Sequence, residues 1–327
     1  MTAAQTPTRD DVPSTGGEPD SPGTSPAGPP RSARAAWLIK TLSRLAITVG
    51  AFVVVGLLYT AYKRFFAATG GTWPGTQTEL PVAGDDLTMP PILDILARLG
   101  EPLRIGDDAP LWHALVDAAV FTFRASFTGF AIGLIVGMIL ALLMLRFLPL
   151  ERGLLPWIIV SQTIPLIALA PIVVAWGHQI ELGWFDWQPW MSVSLIAAYL
   201  TFFPVSVNML RGLQSPTPIQ LELMHSNAAT WSQTLLRLRL PASVPYLVPA
   251  LKLAATASVI GAIVGEVSAA VPGGIGRAIM DYAQQYMGDP ERLYAAVVTA
   301  GVVGVTFVGL VGLLDIVFMR NRPKENT

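Results

Sequence analysis

The sequence predicts an all-α, polytopic membrane protein with about six transmembrane helices. Three observations predict it. Hydrophobic residues make up 52% of the 327-residue chain and charged residues only 13%, against roughly 25% charged in soluble domains. Apolar runs recur along the chain, each near the ~20 residues that a bilayer requires. Basic residues gather in the connections on one side of those runs, the asymmetry that orients membrane proteins. The net charge of −1 gives no electrostatic case for nucleic acid. The lack of cysteine excludes disulfides, thiolate metal sites and cysteine nucleophiles together.

Residues 1–36 are rich in Pro, Ser, Thr and Gly. They bury too little apolar surface to offset their ordering entropy and are expected to form a disordered cytoplasmic tail. The first span is Leu45–Tyr62, preceded by Arg31, Arg34, Lys40 and Arg44. Its length and the lack of a small-x-small cleavage site favour an uncleaved anchor over a signal peptide. Residues 37–110 therefore read as this anchor plus an extracytoplasmic segment. Met89–Leu99 and Leu111–Phe123 suggest short amphipathic helices that either lie along the outer membrane surface or contact a soluble binding protein that delivers substrate. The remaining spans are Ala125–Leu145, Gly153–Trp176, Trp190–Leu210, a fifth within Val244–Val264 and a sixth within Tyr294–Phe318.

Charge orients these spans. Arg146 and Arg152, then Arg211, Arg237 and Arg239, then Arg320, Arg322 and Lys324 fall on one side, while His178–Pro189 on the other has no Lys or Arg. Both termini, including the 321–327 tail, and the 214–242 loop are thus expected to be cytoplasmic. Lys63, Arg64, Arg98, Arg104 and Arg124 lie on the other side, but long translocated segments obey the rule poorly. Trp184, Trp187 and Trp190 mark an outer interface.

The loop between spans four and five is polar yet helix-forming. It reads as a short helix, a turn and a second basic helix ending at Pro241. An ordered helical loop on the cytoplasmic face of a membrane protein implies something docked there. Its spacing resembles the signature loop of the membrane subunits of bacterial ATP-binding-cassette (ABC) importers: Glu-Ala-Ala, three residues, Gly, nine residues, Ile, one residue, Leu-Pro. Here Glu222 opens it, Leu223 and Met224 replace the Ala pair, Ala228 takes the Gly place, Ala229 follows, Leu238 replaces Ile, and Leu240-Pro241 close it. From Leu111 to Arg320 the chain resembles the permease subunits of the nitrate/sulfonate/taurine-type ABC importers. Phe123-Arg-Ala-Ser-Phe-Thr-Gly-Phe130, Gln162-Thr-Ile-Pro-Leu-Ile-Ala-Leu-Ala-Pro171 and Leu240-Pro-Ala-Ser-Val-Pro245 fit that group's habit.

The resemblance implies a type I importer permease core over 111–320 and a division of labour. Two permease subunits, identical or different, form a pathway through the bacterial cytoplasmic membrane. Two cytoplasmic ABC ATPases carry ATP-Mg and drive it, and an extracytoplasmic binding protein supplies the solute. Loop 222–241 would be the coupling helix, with Glu222 making polar contacts or a cap. Ala228 would allow the close turn that Gly usually provides, although Ala disfavours a left-handed backbone there. Leu240-Pro241 would end the second helix before span five. This chain itself would be non-catalytic and hold no cofactor or metal. Lys40, Lys63, Lys252 and Lys324 follow Ile, Tyr, Leu and Pro, so no Gly-Lys phosphate loop exists. His-Glu-x-x-His and Gly-x-Ser-x-Gly are also missing. His113, His178 and His225 are scattered and read as surface residues.

Within the spans, charge is expensive enough to suggest function. Lys252 can snorkel, and Asp315 pairs most simply with Arg320. Glu266 follows Gly261-Ala-Ile-Val-Gly265 and precedes Pro272-Gly-Gly-Ile-Gly276. It reads either as a path-lining residue or as a structural bond to that Gly-rich turn. Gln162, Thr163 and Pro165 in a kinked span three, and Asn208 in span four, are further path candidates. Two other classes compete with the importer. A self-sufficient secondary transporter should show an inverted repeat with paired broken helices, and a structural membrane protein leaves the loop spacing without a reason. For the solute, the resemblance implies either a heterocyclic vitamin precursor or a nitrate- or sulfonate-like anion, and the scarcity of basic residues in the spans argues against a strongly anion-selective path.

Overall fold

A computed structural model of the chain describes residues 31–75, 78–103, 109–177, 179–180 and 186–319. The N-terminal tail, Arg104, His178, Trp184 and the C-terminal tail from Arg320 lie outside these. So do the side chains of Arg31, Arg34, Lys40, Arg44 and Asp315. The chain divides into two units, Met1–Ala61 and Tyr62–Thr327. In the first, the expected anchor falls in helix α1 (Arg31–Thr69), which runs on into the second unit.

The second unit is helical throughout its described core: α2 (Ile92–Arg98), α3 (Leu111–Arg146), α4 (Leu148–Ser161), α5 (Leu166–Gly177), α6 (Pro189–Leu213), α7 (Pro218–Ser226), α8 (Trp231–Thr234), a π turn (Leu235–Arg239), α9 (Leu240–Ser268), α10 (Ile275–Gln284) and α11 (Pro290–Met319). Among the described residues five helical segments are long and apolar enough to cross a membrane, or six if α4 and α5 count as one span. This is a multi-pass membrane protein.

Helices α3, α6 and α9 form the centre. Their contact is close because Gly129, Gly133 and Gly137 put one bare stripe of α3 against α6. A Cβ on Gly129 would lie 2.5 Å from that of Ala197, and one on Gly133 2.5 Å from that of Thr201. Small residues permit such approach in lipid, where packing rather than water exclusion joins helices. Phe307 of α11 closes the core edge-on against Phe123 and Phe130, with ring centroids 5.4 and 5.7 Å away. Outward, α3 and α11 expose Ile135, Ile139, Val298, Val302 and Val305, as bilayer-facing helices do.

Two expectations are corrected. Leu111–Phe123 is not a separate surface helix but the first third of α3; its inward residues Leu111, Leu115 and Ala118 join Ile275, Ala295 and Ala296 in one buried cluster, and no proline interrupts the run. Span three is not a single kinked helix. It breaks between Ser161 and Leu166 into α4 and α5, bent by 100°. Pro165 has no N–H to continue the ladder, and the freed turn is satisfied locally: Ser161 Oγ donates to the Ile158 carbonyl (2.7 Å) and Thr163 Oγ1 to that of Val160 (2.8 Å).

Candidate functional site

The loop after α6 is ordered by its own sequence. Thr217 caps α7: its Oγ1 accepts from the Gln220 amide (3.4 Å) while Gln220 Oε1 accepts from the Thr217 amide (3.0 Å), with Pro218 in the first turn. Thr230 and Gln233 repeat this arrangement at α8, at 2.8 and 3.3 Å. Reciprocal caps of this kind satisfy two otherwise orphan donors at each helix start.

Between the two caps lies Ala228, with φ +50°. Its amide donates to the His225 carbonyl (2.9 Å), and the Ala229 amide donates to that of Met224 (2.9 Å). This pair of bonds is a Schellman ending, normally built on glycine. The expectation that alanine would avoid the left-handed region is therefore corrected: two recovered backbone bonds outweigh a cost of about 1–2 kcal/mol.

The second correction concerns Leu240-Pro241, which end nothing. Residues Trp231–Ser268 form one continuous run, and Pro241 lies in the first turn of α9. A proline ring clashes with the carbonyl four residues back in an α-helix. The π turn removes that conflict by passing the Leu240 amide to the Leu235 carbonyl, five residues back.

Three contacts fix this loop to the helix ends around it. The Arg146 guanidinium, at the end of α3, lies 5.1 Å from the Trp231 ring centroid. Arg239 Nη1 donates to the Leu213 carbonyl at the end of α6 (2.9 Å). Gln214 Nε2 donates to Glu151 Oε1 of α4 (2.9 Å). The far side of the loop is bare. No residue of α7 is buried, Ile219 is 77% and Leu223 61% exposed, and Glu222, Ala228 and Pro241 are exposed too. Met224, Ala229, Leu238 and Leu240 are half-buried. The loop residues thus form one continuous element.

The path candidates do not come together. Gln162, Thr163 and Pro165 sit at the α4–α5 break, where Gln162 Nε2 donates to Ser161 Oγ (3.3 Å) and Tyr199 of α6 donates to the Ser161 carbonyl. Beside the break is a cavity of about 350 Å³, whose lining includes Ile132, Val136, Ile164, Tyr199 and Phe202 and contains no Lys or Arg. Asn208 donates to the Pro204 carbonyl of its own helix (2.8 Å).

Glu266 lies at the opposite end of the bundle from the loop and is fully buried. Its Oε2 accepts from the Gly276 amide (2.8 Å), and Thr122 Oγ1 is 2.9 Å from its Oε1. Thr122 in turn accepts from the Ile275 amide (2.9 Å). Of the two readings of Glu266, this geometry is the structural bond to the Gly-rich turn: a carboxyl group at the start of α10, where amides and helix dipole favour it. Thr122 was missed in the sequence. A lone hydroxyl between Phe121 and Phe123 was its only signal. Among the described residues no three His, Cys, Asp or Glu side chains gather as a metal site; His113 and His225 are exposed.

Residues 133–319 match the family model described as binding-protein-dependent transport system inner membrane component. Formylaminopyrimidine transport permease protein ThiX of Halalkalibacterium halodurans is 39% identical over 42% of this chain and 52% of its own length. Riboflavin transport system permease protein RibX of Chloroflexus aurantiacus is 27% identical over 52% of this chain and 59% of its own. The putative aliphatic sulfonates transport permease protein SsuC of Bacillus subtilis is 26% identical over 59% and 65%. The chain therefore spans about half to two thirds of the curated relatives it matches. The crystal structure of an amino acid ABC transporter with histidines has the same fold, with a TM-score of 0.50 at 18% identity over 62% of this chain and 92% of that one.

Proposed function

Because the chain belongs to the family of binding-protein-dependent transport system inner membrane components, we propose that it is the permease subunit of an ATP-driven importer and couples to a separate cytoplasmic ATPase through residues 222–241. The observation that carries this reading is the loop itself. It is capped at both helix starts, closed by a left-handed Ala228, fixed to α3, α4 and α6 on one side and bare on the other. A connection that only joined two spans would need none of this order. Glu222, Ile219 and Leu223 present a mixed polar and apolar face to the ATPase.

The permease domain is 111–320, with 37–110 as anchor and extracytoplasmic segment. Both termini are cytoplasmic in the inner membrane, a reading the basic loops support. A second permease subunit completes the pathway, an extracytoplasmic binding protein delivers the solute, and ATP-Mg is held by the ATPase. ATP closes the ATPase pair, the loops move with it, and the pathway switches between two states that the nucleotide biases. Gln162, Thr163, Pro165 and Asn208 are kept as path residues, while Glu266 holds the Gly-rich turn. The solute is a small heterocyclic vitamin precursor. An apolar cavity with two aromatic rings and no cation beside the α4–α5 break supports this over an anion, as do relatives named for a formylaminopyrimidine and for riboflavin.

The test is a pull-down of the tagged chain from detergent, wild type beside Glu222→Arg, with mass spectrometry of the co-purifying proteins. A soluble ATPase that is retained by the wild type and lost from the variant is the expected result. Wild type that purifies alone and still transports in vesicles without ATP would replace this reading with a secondary transporter. Uptake of labelled formylaminopyrimidine against labelled taurine then decides the solute class.

A further inference from the structure

We infer that Arg239 and the Arg146–Trp231 stack are positioning contacts that carry displacement of the 217–230 loop into α6 and α3. The inference rests on the coupling function proposed above. Arg239 lies in the π turn, the one stretch of the Trp231–Ser268 run that departs from α-helical bonding, and such turns recur where helices must move or bend. Its guanidinium reaches across to the Leu213 carbonyl (2.9 Å). That carbonyl is in the last turn of α6, where acceptors lack partners within the helix and a cation is favoured.

Leu213 is not a peripheral anchor. Its side chain is fully buried in a cluster with Ala141 and Met144 of α3, Ile158 of α4 and Met209 of α6, so displacement of its backbone is felt by three helices at once. One residue earlier, a Cβ on Gly212 would lie 2.8 Å from Ser243 Cα. The end of α6 and the start of α9 are thus in backbone contact, and Arg239 bridges the same junction from the loop side.

The third helix is reached separately. Trp231 is the first residue of α8, directly after the Thr230 cap, and Arg146 is the last of α3. Their rings and charge meet at 5.1 Å, within cation–π range. The loop is therefore held to α9 through the chain, to α6 through a hydrogen bond and to α3 through a stacked cation. None of these three connections uses the bare face of α7. A residue that docks the ATPase and a residue that transmits its motion are consequently separable by mutation.

The experiment uses the natural lack of cysteine. Single reporter cysteines at Thr163, Leu195 and Asn208 are placed in the full chain, in a complex with the ATPase that co-purifies with wild type. Their maleimide labelling rates are compared without nucleotide and with ATP plus vanadate. In the wild-type background the nucleotide changes the rates. Arg239→Met and Trp231→Leu are expected to keep the ATPase on pull-down and to keep ATP hydrolysis, while the nucleotide-dependent change in labelling shrinks at least about fivefold. Arg239→Lys, which retains a donor, restores most of it. An Arg239→Met response equal to wild type overturns the inference. So does loss of the ATPase from Arg239→Met, which would make Arg239 a docking residue, and so does a bound ATPase with no nucleotide response in wild type. A wild-type chain that binds no ATPase removes the proposed function itself, a result distinct from all three.

Discussion

The carboxyl group of Glu266 fills the volume that a side chain on Gly274 would occupy. A Cβ built on Gly274 would overlap the Glu266 carboxyl carbon, and one on Gly276 would lie 2.9 Å from Glu266 Cβ. The turn Gly273–Gly276 is therefore shaped around this one side chain. The end of α9, the start of α10 and Thr122 of α3 meet there in a closed set of hydrogen bonds.

Gly274→Ala must displace either the carboxyl group or the turn. Overpacking of a filled site costs about 1–3 kcal/mol, so the variant should melt earlier in detergent than wild type. Gly301→Ala is the matched control, since nothing lies within 4 Å of a Cβ there. Equal melting of the two variants would show that the turn yields freely.

Glu266→Ala removes the acceptor of the Gly276 amide and the partner of Thr122. Each buried group left unmatched costs about 1–3 kcal/mol. Glu266→Gln keeps an acceptor for Gly276 and should lose much less. The measurement is thermal or denaturant unfolding of the three proteins in one detergent, with hydrogen exchange across 275–284. If Gln and Ala are equally damaging, the bond to Gly276 is not what holds α10.

Ala228→Gly should stabilise the loop. The left-handed backbone costs alanine about 1–2 kcal/mol, and glycine gives back about 0.4–1 kcal/mol through the greater freedom of its unfolded chain. The net gain, up to about 1.6 kcal/mol, should appear as slower amide exchange at Ala229 and Asn227. Ala228→Val should reverse the sign, because a β-branched residue is excluded from this region. Faster exchange in the glycine variant would mean that the loop relaxes out of the φ +50° state.

What the sequence carried into the fold can be judged residue by residue. Spans two, four and six are long uninterrupted apolar runs, and hydrophobicity placed them because nothing else competes for such a segment. The helical character of the loop was legible through spacing, but its caps were not: a cap was expected at Glu222, whereas Thr217 and Thr230 supply them. The errors came from prolines, from a propensity and, at Leu111–Phe123, from reading the amphipathic start of α3 as a separate helix. Pro165 announced a kink but not its size, since a bend of 100° depends on how Tyr199 and α6 receive the broken end. Pro241 read as a stop because the rule for prolines assumes α-helical bonding, and a π turn needs tertiary support that no local pattern reveals. Ala228 was misjudged because helix-ending hydrogen bonds to Met224 and His225 are worth more than alanine's intrinsic preference. Thr122 was invisible because its partners, Glu266 and Ile275, are far away in sequence.

Pro241→Ala tests whether the π turn exists on account of the proline. With an amide restored at 241 and no ring against the Arg237 carbonyl, α-helical bonding can run through 235–241 unbroken. Removing the extra residue of the π turn changes helical phase by one position, a rotation of about 100° for everything on the loop side. Arg239 would then point away from the Leu213 carbonyl, now 2.9 Å distant, and Trp231 away from Arg146. The folded core should survive, because Val248, Leu251 and the buried residues beyond are untouched. Spin labels on cysteines placed at Ser226 and Arg152 would report the rotation as a shifted distance distribution, and uptake should fall while the protein still purifies as wild type. An unchanged distribution would mean that α6 and α3, rather than Pro241, impose the turn, and that the loop is held in place even when its hinge is free to close.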